Sequence, residues 1–330
     1  MLDTLLKERP WLLADGATGT NLFDMGLTAG EAPERWLTDH PDRIIALHEK
    51  FLAAGADIIL TNTFGCNRRR LALHQLENET RALNRIGAEL AHKAAAGAGR
   101  PVVVAGSVGP TGDLLAPLGA LTEAEAVEVF VEQMEGLKDG GAHVIWIETM
   151  SAFEEMRAAA TAARRLGMRY VVTASFDTAG RTMMGIAPDA LARDLGALEP
   201  PPLAIGANCG VGASDLVASI LGLTEGDPQA IIVAKANCGI PTVSGDKVDY
   251  SGTPELMQAY ARLARDAGAR IIGGCCGTSP GHLAAMRHAL ERHTPGARPS
   301  LDRIVCDLGP LVSPPNANAG TRRRGRRGES

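Results

Sequence analysis

Two adjacent cysteines in Gly273-Gly274-Cys275-Cys276-Gly277-Thr278, and a third, Cys209, in Gly206-Ala207-Asn208-Cys209-Gly210, are the residues of this chain best suited to chemistry. Three thiolates fill three corners of the tetrahedron that Zn²⁺ prefers, and an open fourth corner marks a catalytic rather than a structural zinc. Cys275 and Cys276 follow the apolar run Ala269-Arg270-Ile271-Ile272, which reads as a strand, and neighbouring side chains on a strand point to opposite faces. Both thiols reach one metal only where the backbone leaves strand geometry, which Gly273, Gly274 and Gly277 permit. The competing reading is a set of buried thiols at strand ends, since free cysteine packs as a small hydrophobe. Ala236-Asn237-Cys238-Gly239 repeats Ala207-Asn208-Cys209-Gly210, so spacing alone leaves open which cysteine joins the pair. Cys66 and Cys306 read as unremarkable thiols, Cys66 being a weak candidate for the rim of the site.

The elements that must position these thiols are legible in the pattern of the chain. Short β-rich runs recur at intervals of roughly 30 to 45 residues, each followed by a stretch of helical period. They are Leu12–Asp15, Ile58–Thr61, Val102–Ala105, Val144–Ile147, Tyr170–Thr173, Leu203–Gly206, Ile231–Ala234 and Arg270–Gly273. Helices are predicted over 79–96, 123–138, 153–166, 213–223, 254–267 and 280–292, several opened by Thr, Ser or Pro. Eight such units predict an α/β chain folded as a single (β/α)8 TIM barrel over residues 1–300. A doubly wound open sheet is the alternative, weakened by the lack of a Gly-x-Gly-x-x-Gly turn after the first run.

Active sites of such barrels lie at the C-terminal ends of the strands. Polar residues stand there: Asp15, Thr61-Asn62-Thr63, Ser107, Glu148, Ser175, Asp177, Asn208-Cys209, Asn237-Cys238 and Cys275-Cys276. Helix capping is the alternative role for the threonines and Ser107, and a turn-forming Asp-Gly for Asp15. An acid ending Val144-Ile145-Trp146-Ile147 is harder to explain without a partner, because a lone buried charge is costly. Cys209 and Cys275 are 66 residues apart, two units along, so their strands share parity and aim side chains into the same layer.

Composition bounds the rest. The 330 residues are 45% hydrophobic and 22% charged, as expected of a soluble globular chain, and the net charge of -5 argues against nucleic-acid binding. Neither a signal peptide nor an apolar run of membrane-spanning length is evident. Six cysteines in so long a chain suggest a reducing, cytoplasmic setting in which thiols serve metals or catalysis. Residues 301–330 read as a linker and a disordered basic tail containing Arg322-Arg323-Arg324-Gly325-Arg326-Arg327, most simply solubilising.

Taken in order, Asp15-Gly16-Ala17-Thr18-Gly19-Thr20, Thr61-Asn62-Thr63-Phe64-Gly65, Gly106-Ser107-Val108-Gly109-Pro110, Glu148-Thr149 and the two cysteine motifs resemble the zinc-dependent homocysteine S-methyltransferases. That family takes in betaine and S-methylmethionine enzymes and the homocysteine-binding domain of cobalamin-dependent methionine synthase. The resemblance covers about residues 10 to 293. It implies a barrel in which Cys209, Cys275 and Cys276 hold one Zn²⁺ while Asp15 and Glu148 grip the amino group of L-homocysteine, with Thr61, Asn62, Ser107 and Asn208 lining the substrate pocket. The implied product is L-methionine.

The donor is less determined. Betaine recognition normally uses aromatic faces, yet only 4% of residues are aromatic, and Thr149-Met150 follows Glu148 where the betaine enzymes carry an aromatic. The resemblance therefore leans towards methylcobalamin carried by a partner corrinoid protein. The non-enzyme alternative is a zinc- and homocysteine-binding subunit inactive alone. Cys238 departs from the family pattern, either as a temporary fourth ligand or, more plainly, as a packed bystander.

Overall fold

Eight short parallel strands carry the architecture, and their sequences explain why they are buried on both faces. The strands are β1 (Leu12–Leu13), β2 (Ile58–Leu60), β3 (Val103–Val108), β4 (Val144–Met150), β5 (Tyr170–Ala174), β6 (Ala204–Cys209), β7 (Ile232–Ala236) and, after a hairpin of β8 (Pro241–Ser244) and β9 (Lys247–Tyr250), β10 (Ala269–Gly274). In this computed structural model, which describes residues 1–244 and 247–314, they pair in the order β1-β10-β7-β6-β5-β4-β3-β2. A parallel bridge between Ala14 and Ile58 closes the ring, supported by Asp15 N donating to Ile58 O at 3.0 Å and Asp57 N to Leu13 O at 2.7 Å. The result is the expected (β/α)8 barrel.

Alternation divides each strand between two cores. Leu12, Ile58, Leu60, Val103, Ala105, Trp146, Val171, Val233 and Ile271 fill the barrel, and Leu2, Leu5 and Leu6 of the N-terminal helix Leu2–Glu8 plug its lower end. Leu13, Ile59, Val104, Ile145, Val172, Ile205, Ala234 and Ile272 face outward, where the helices cover them. This double burial is why the runs read as continuous Val/Ile/Leu.

Helices Thr80–Ala96, Glu123–Asp139, Phe153–Arg165, Ala213–Gly226, Pro254–Asp266 and Pro280–Glu291 fall where the periodicity places them. Thr122 and Ser279 form capping boxes, and Thr253 accepts from Leu256 N. A further helix, Pro188–Gly196, occupies the gap between β5 and β6.

Leu301–Leu308, read as the start of a linker, is a helix capped by Ser300, and its Ile304 is fully buried against the barrel. Beyond it the chain crosses the strand ends as a strap. Val312 N and Ser313 N each donate to the Asp215 carboxylate at 2.9 Å, Ser214 Oγ donates to Gly309 O at 2.8 Å, and Ser313 Oγ accepts from Ala179 N at 2.6 Å. The helix buries only one of its eight residues, and neither it nor the Ser-Pro sequence after it announces the docking, because the partner groups lie about 95 to 134 residues away. The tail from residue 315 onward, expected to be disordered, lies outside the described residues.

Truncation after Gly309 leaves the Asp215 carboxylate, 6% exposed, without those two donors. Hydrogen bonds to a charged group are worth roughly 1.5 to 3 kcal/mol each, so urea unfolding should show a loss of about 3 to 6 kcal/mol.

Candidate functional site

β6 and β10 deliver the three thiols to one mouth by leaving extended geometry at their ends. Cys209 sits at φ +61° and is followed by Gly210 at +73°, so the chain turns its thiol inward before helix Ala213–Gly226 begins. On β10, Gly277 has φ +76°, and a Cβ on Gly274 would meet the Thr278 side chain at 2.3 Å. Glycine at both positions is what lets Cys275 and Cys276 face the same point. The Sγ atoms of Cys209, Cys275 and Cys276 all lie within 4.8 Å of one another, Cys209 and Cys276 at 4.0 Å, and each residue is partly accessible. Zn–S bonds near 2.3 Å in a tetrahedron set sulfurs ~3.8 Å apart, so the described triad can hold such an ion with sub-ångström adjustment. Cys276 is held well below the ordinary thiol range, chiefly by hydrogen bonds from Cys209 and then Cys275, while Cys209 is pushed up.

Two asparagines hold this arrangement. Asn208 Oδ1 accepts from Thr149 N at 2.8 Å and Thr173 Oγ1 at 2.6 Å, and its Nδ2 donates to Thr149 Oγ1 at 2.7 Å and points at Cys275 Sγ at 3.8 Å. Thr149 is itself at φ +61°, so the Asn208 amide stabilises the strained turn directly after Glu148. Asn237 Oδ1 accepts from Cys276 N at 3.1 Å and Nδ2 donates to Gly210 O at 2.7 Å, tying the two cysteine loops together. Such outer contacts orient ligands and commonly matter 10- to 100-fold, roughly, in metal affinity.

Cys238 lies beside the site through its backbone, N donating to Cys276 O at 2.8 Å. Its thiol is fully buried in the outer core, is pushed up to about 11 by that burial, and does not join the triad among the described residues. Cys66 is also buried in that core, and Cys306 is exposed on the last helix. Tyr250, at the end of β9, packs its ring on Gly277 and reaches Cys276. No motif around Tyr250 marks it as a neighbour of the thiols.

Below the thiols lies a buried cluster of two acids and a lysine. Glu148 accepts from Ser107 Oγ at 2.5 Å, is 8% exposed, and is pushed up to about 7, chiefly by burial, with Lys235 pulling the other way. Asp15 accepts from Lys235 Nζ at 2.7 Å and from Leu60 N at 2.7 Å, both charged side chains being 2% exposed. Burial works against the Lys235 charge, but Asp15 and Glu148 together hold it above the ordinary lysine value. Lys235 is a site residue that sequence reading missed. It follows the apolar run Ile231–Ala234 and, two residues after the inward Val233, shares its inward face, so alternation was the available clue.

The other candidates are placed as follows. Thr61 Oγ1 pairs with Thr63 Oγ1 at 2.6 Å and accepts from Ser107 N at 3.0 Å, so it braces Ser107 from behind. Asn62 Nδ2 donates to Pro33 O at 2.8 Å, turned towards the loop after β1. The structure thus gathers Asp15, Ser107, Glu148 and Lys235 in one buried cluster, with Asn208 on the thiol side and Asn62 at the edge.

Residues 12–290 match the family described as Homocysteine S-methyltransferase. Methionine synthases of Mycobacterium leprae and Mycobacterium tuberculosis are 29% and 30% identical to the chain, over 92% and 88% of its length. The chain spans only about a quarter of those relatives, 26% and 25% respectively. Among solved structures, the metallated form of the homocysteine methyltransferase MmuM from Escherichia coli superposes with a TM-score of 0.74 at 26% identity, covering 87% of this chain and 99% of that one. The oxidised form of MmuM gives 0.72 at 27% identity. A (β/α)8 barrel with three converging cysteines, matched along nearly its whole length by this one family, makes the chain a member of the homocysteine S-methyltransferases.

Proposed function

We propose that the chain transfers a methyl group to the thiol of L-homocysteine to give L-methionine, using one Zn²⁺ held by Cys209, Cys275 and Cys276. The convergence of three partly accessible thiols above a buried acid pocket carries this reading. The sulfur-only donor set suits zinc, and its three members leave room for one more ligand. Bound Zn²⁺ supplies the Lewis acidity that keeps a thiol deprotonated at neutral pH. The chain's own residues do the rest: Glu148, braced by Ser107, orients the substrate ammonium, and Asn208 and Asn237 fix the cysteine loops. The substrate sulfur then attacks the methyl carbon in line, forming S–C as the bond from methyl to its carrier breaks and the carrier keeps that electron pair.

For the donor, the surface favours a carrier protein. Phe64, Leu114, Leu118, Met183, Met184 and Ile240, on loops after β2, β3, β5 and β7, are all exposed at the strand C-terminal end, where an apolar rim suits protein docking. A methylated corrinoid protein is the occupant we propose. The second reading, a small donor such as betaine or S-methylmethionine, is favoured by the near-complete coverage of MmuM, a homocysteine methyltransferase no larger than this barrel.

Methionine formation by zinc-loaded protein should be assayed with betaine, S-methylmethionine, free methylcobalamin and a methylated corrinoid protein in turn. Turnover with the corrinoid protein alone is expected. Turnover with none, despite stoichiometric zinc and homocysteine binding, would make the chain a binding subunit, and activity indifferent to zinc removal would end the zinc reading.

A further inference from the structure

We infer that Lys235 is a specificity-determining residue which neutralises Asp15, leaving Glu148 as the carboxylate that selects the ammonium of the incoming amino acid. The inference deepens the reading of the site as a homocysteine pocket and rests on it. In the resemblance drawn from sequence, two acids share the ammonium. In the structure they are not equivalent. Asp15 is engaged at both oxygens, by Lys235 Nζ and by Leu60 N, each at 2.7 Å. Glu148 has a neutral partner, the Ser107 hydroxyl at 2.5 Å.

Charge counting gives the consequence. Asp15 and Lys235 are equally buried, at 2% exposure, and form a pair of zero net charge within the barrel. Lys235 also stands 5.9 Å from the centre of the Trp146 ring, so its stem and head are enclosed by the barrel core rather than by water. An ammonium arriving beside a neutral pair gains little from it, whereas ionised Glu148, the acid with no cation hydrogen-bonded to it among the described residues, offers a negative charge in a medium that screens poorly. Were Asp15 free, two carboxylates would face one ammonium and the filled pocket would retain a surplus negative charge. Lys235 removes that surplus, so a zwitterionic amino acid is the ligand whose amine end leaves the pocket neutral.

The pair can be tested as a unit, because replacing both members of a buried ion pair by neutral groups of similar volume is often tolerated, whereas removing one strands the other. The measurements are KM and kcat for homocysteine in Asp15→Asn, in the double variant Asp15→Asn/Lys235→Met, and in wild type, with zinc content and thermal melting checked for each. Asp15→Asn leaves an unpaired cation beside the substrate ammonium, and KM should rise by about 50-fold or more with kcat much less affected. Removing Lys235 in that background should bring KM back to within about fivefold of wild type. If Asp15 itself grips the ammonium, the double variant will stay as impaired as the single one, and that result overturns the inference. Should Asp15→Asn alone not fold, the double variant still decides: KM within about fivefold of wild type supports the neutral pair, and a rise above about tenfold refutes it. Retained zinc and folding in the double variant keep a failure of this inference distinct from a failure of the homocysteine reading, in which no variant and no wild-type protein would show saturation by homocysteine.

Discussion

Cys209→Ala should abolish stoichiometric zinc binding and lower methionine formation by about 10⁴-fold. A thiol with a pKa near 8.5 is only a few per cent thiolate at neutral pH, which costs roughly 30-fold once the metal is lost. Losing the fixed position of the nucleophile relative to the donor removes a further factor of at least ~10² to 10³. The substitution suits the test, because alanine meets the same strain at φ +61° that cysteine already meets, so the turn before helix Ala213–Gly226 is not newly penalised. Cys238→Ala is the control. Its thiol is buried in the outer core and stands apart from the triad among the described residues, so the variant should keep one zinc per chain and full activity while losing about 1 kcal/mol of stability. Metal analysis reads both, and zinc lost from Cys238→Ala but retained in Cys209→Ala would reassign the site.

That control answers an ambiguity the sequence contained. Asn208-Cys209 and Asn237-Cys238 are the same dipeptide at the ends of consecutive strands, and pattern alone does not distinguish them. The distinction is conformational: Cys209 takes a left-handed backbone and turns in, whereas Cys238 packs among the outer side chains against Gly252. The barrel itself was legible because both faces of each strand are buried, which writes itself as Val/Ile/Leu runs at regular intervals. What stayed hidden depended on pairing across the fold. Asn208 reads in the sequence as a pocket residue, yet its amide is committed to Thr149, Thr173 and Cys275, a commitment visible only when the barrel brings the ends of β4, β5 and β10 to one mouth. Lys235 stays inconspicuous in the sequence because its partner Asp15 lies 220 residues away. The helix Leu301–Leu308 was missed for the same reason: its docking surface is supplied by distant residues.

Glu148→Gln should raise KM for homocysteine by about 10²- to 10³-fold, with zinc content intact, because a charge-assisted hydrogen bond in a buried pocket is roughly twice as strong as a neutral one and the ammonium would lose its counter-charge. The amide can still accept from Ser107 Oγ, so the pocket keeps its shape. The pH dependence gives a second, independent sign. Burial pushes Glu148 up to about 7, against the field of Lys235 and with that of Cys275 and Asp15. The acid must be ionised to hold an ammonium, so kcat/KM should climb as pH rises through about 7, and this limb should vanish in Glu148→Gln. Stability runs the opposite way. A carboxyl whose folded value lies above its unfolded value of 4.5 stabilises the fold below that pH, and the contribution is lost as pH rises through about 7. The loss is on the order of 3 kcal/mol. Metal-free wild type should therefore weaken between about pH 4.5 and 7 relative to Glu148→Gln, whose neutral amide has no such dependence. A variant that binds homocysteine normally, or a wild type whose stability difference from it is flat across that interval, would show that Glu148 is neither the ammonium's partner nor the buried acid that the pocket geometry makes it.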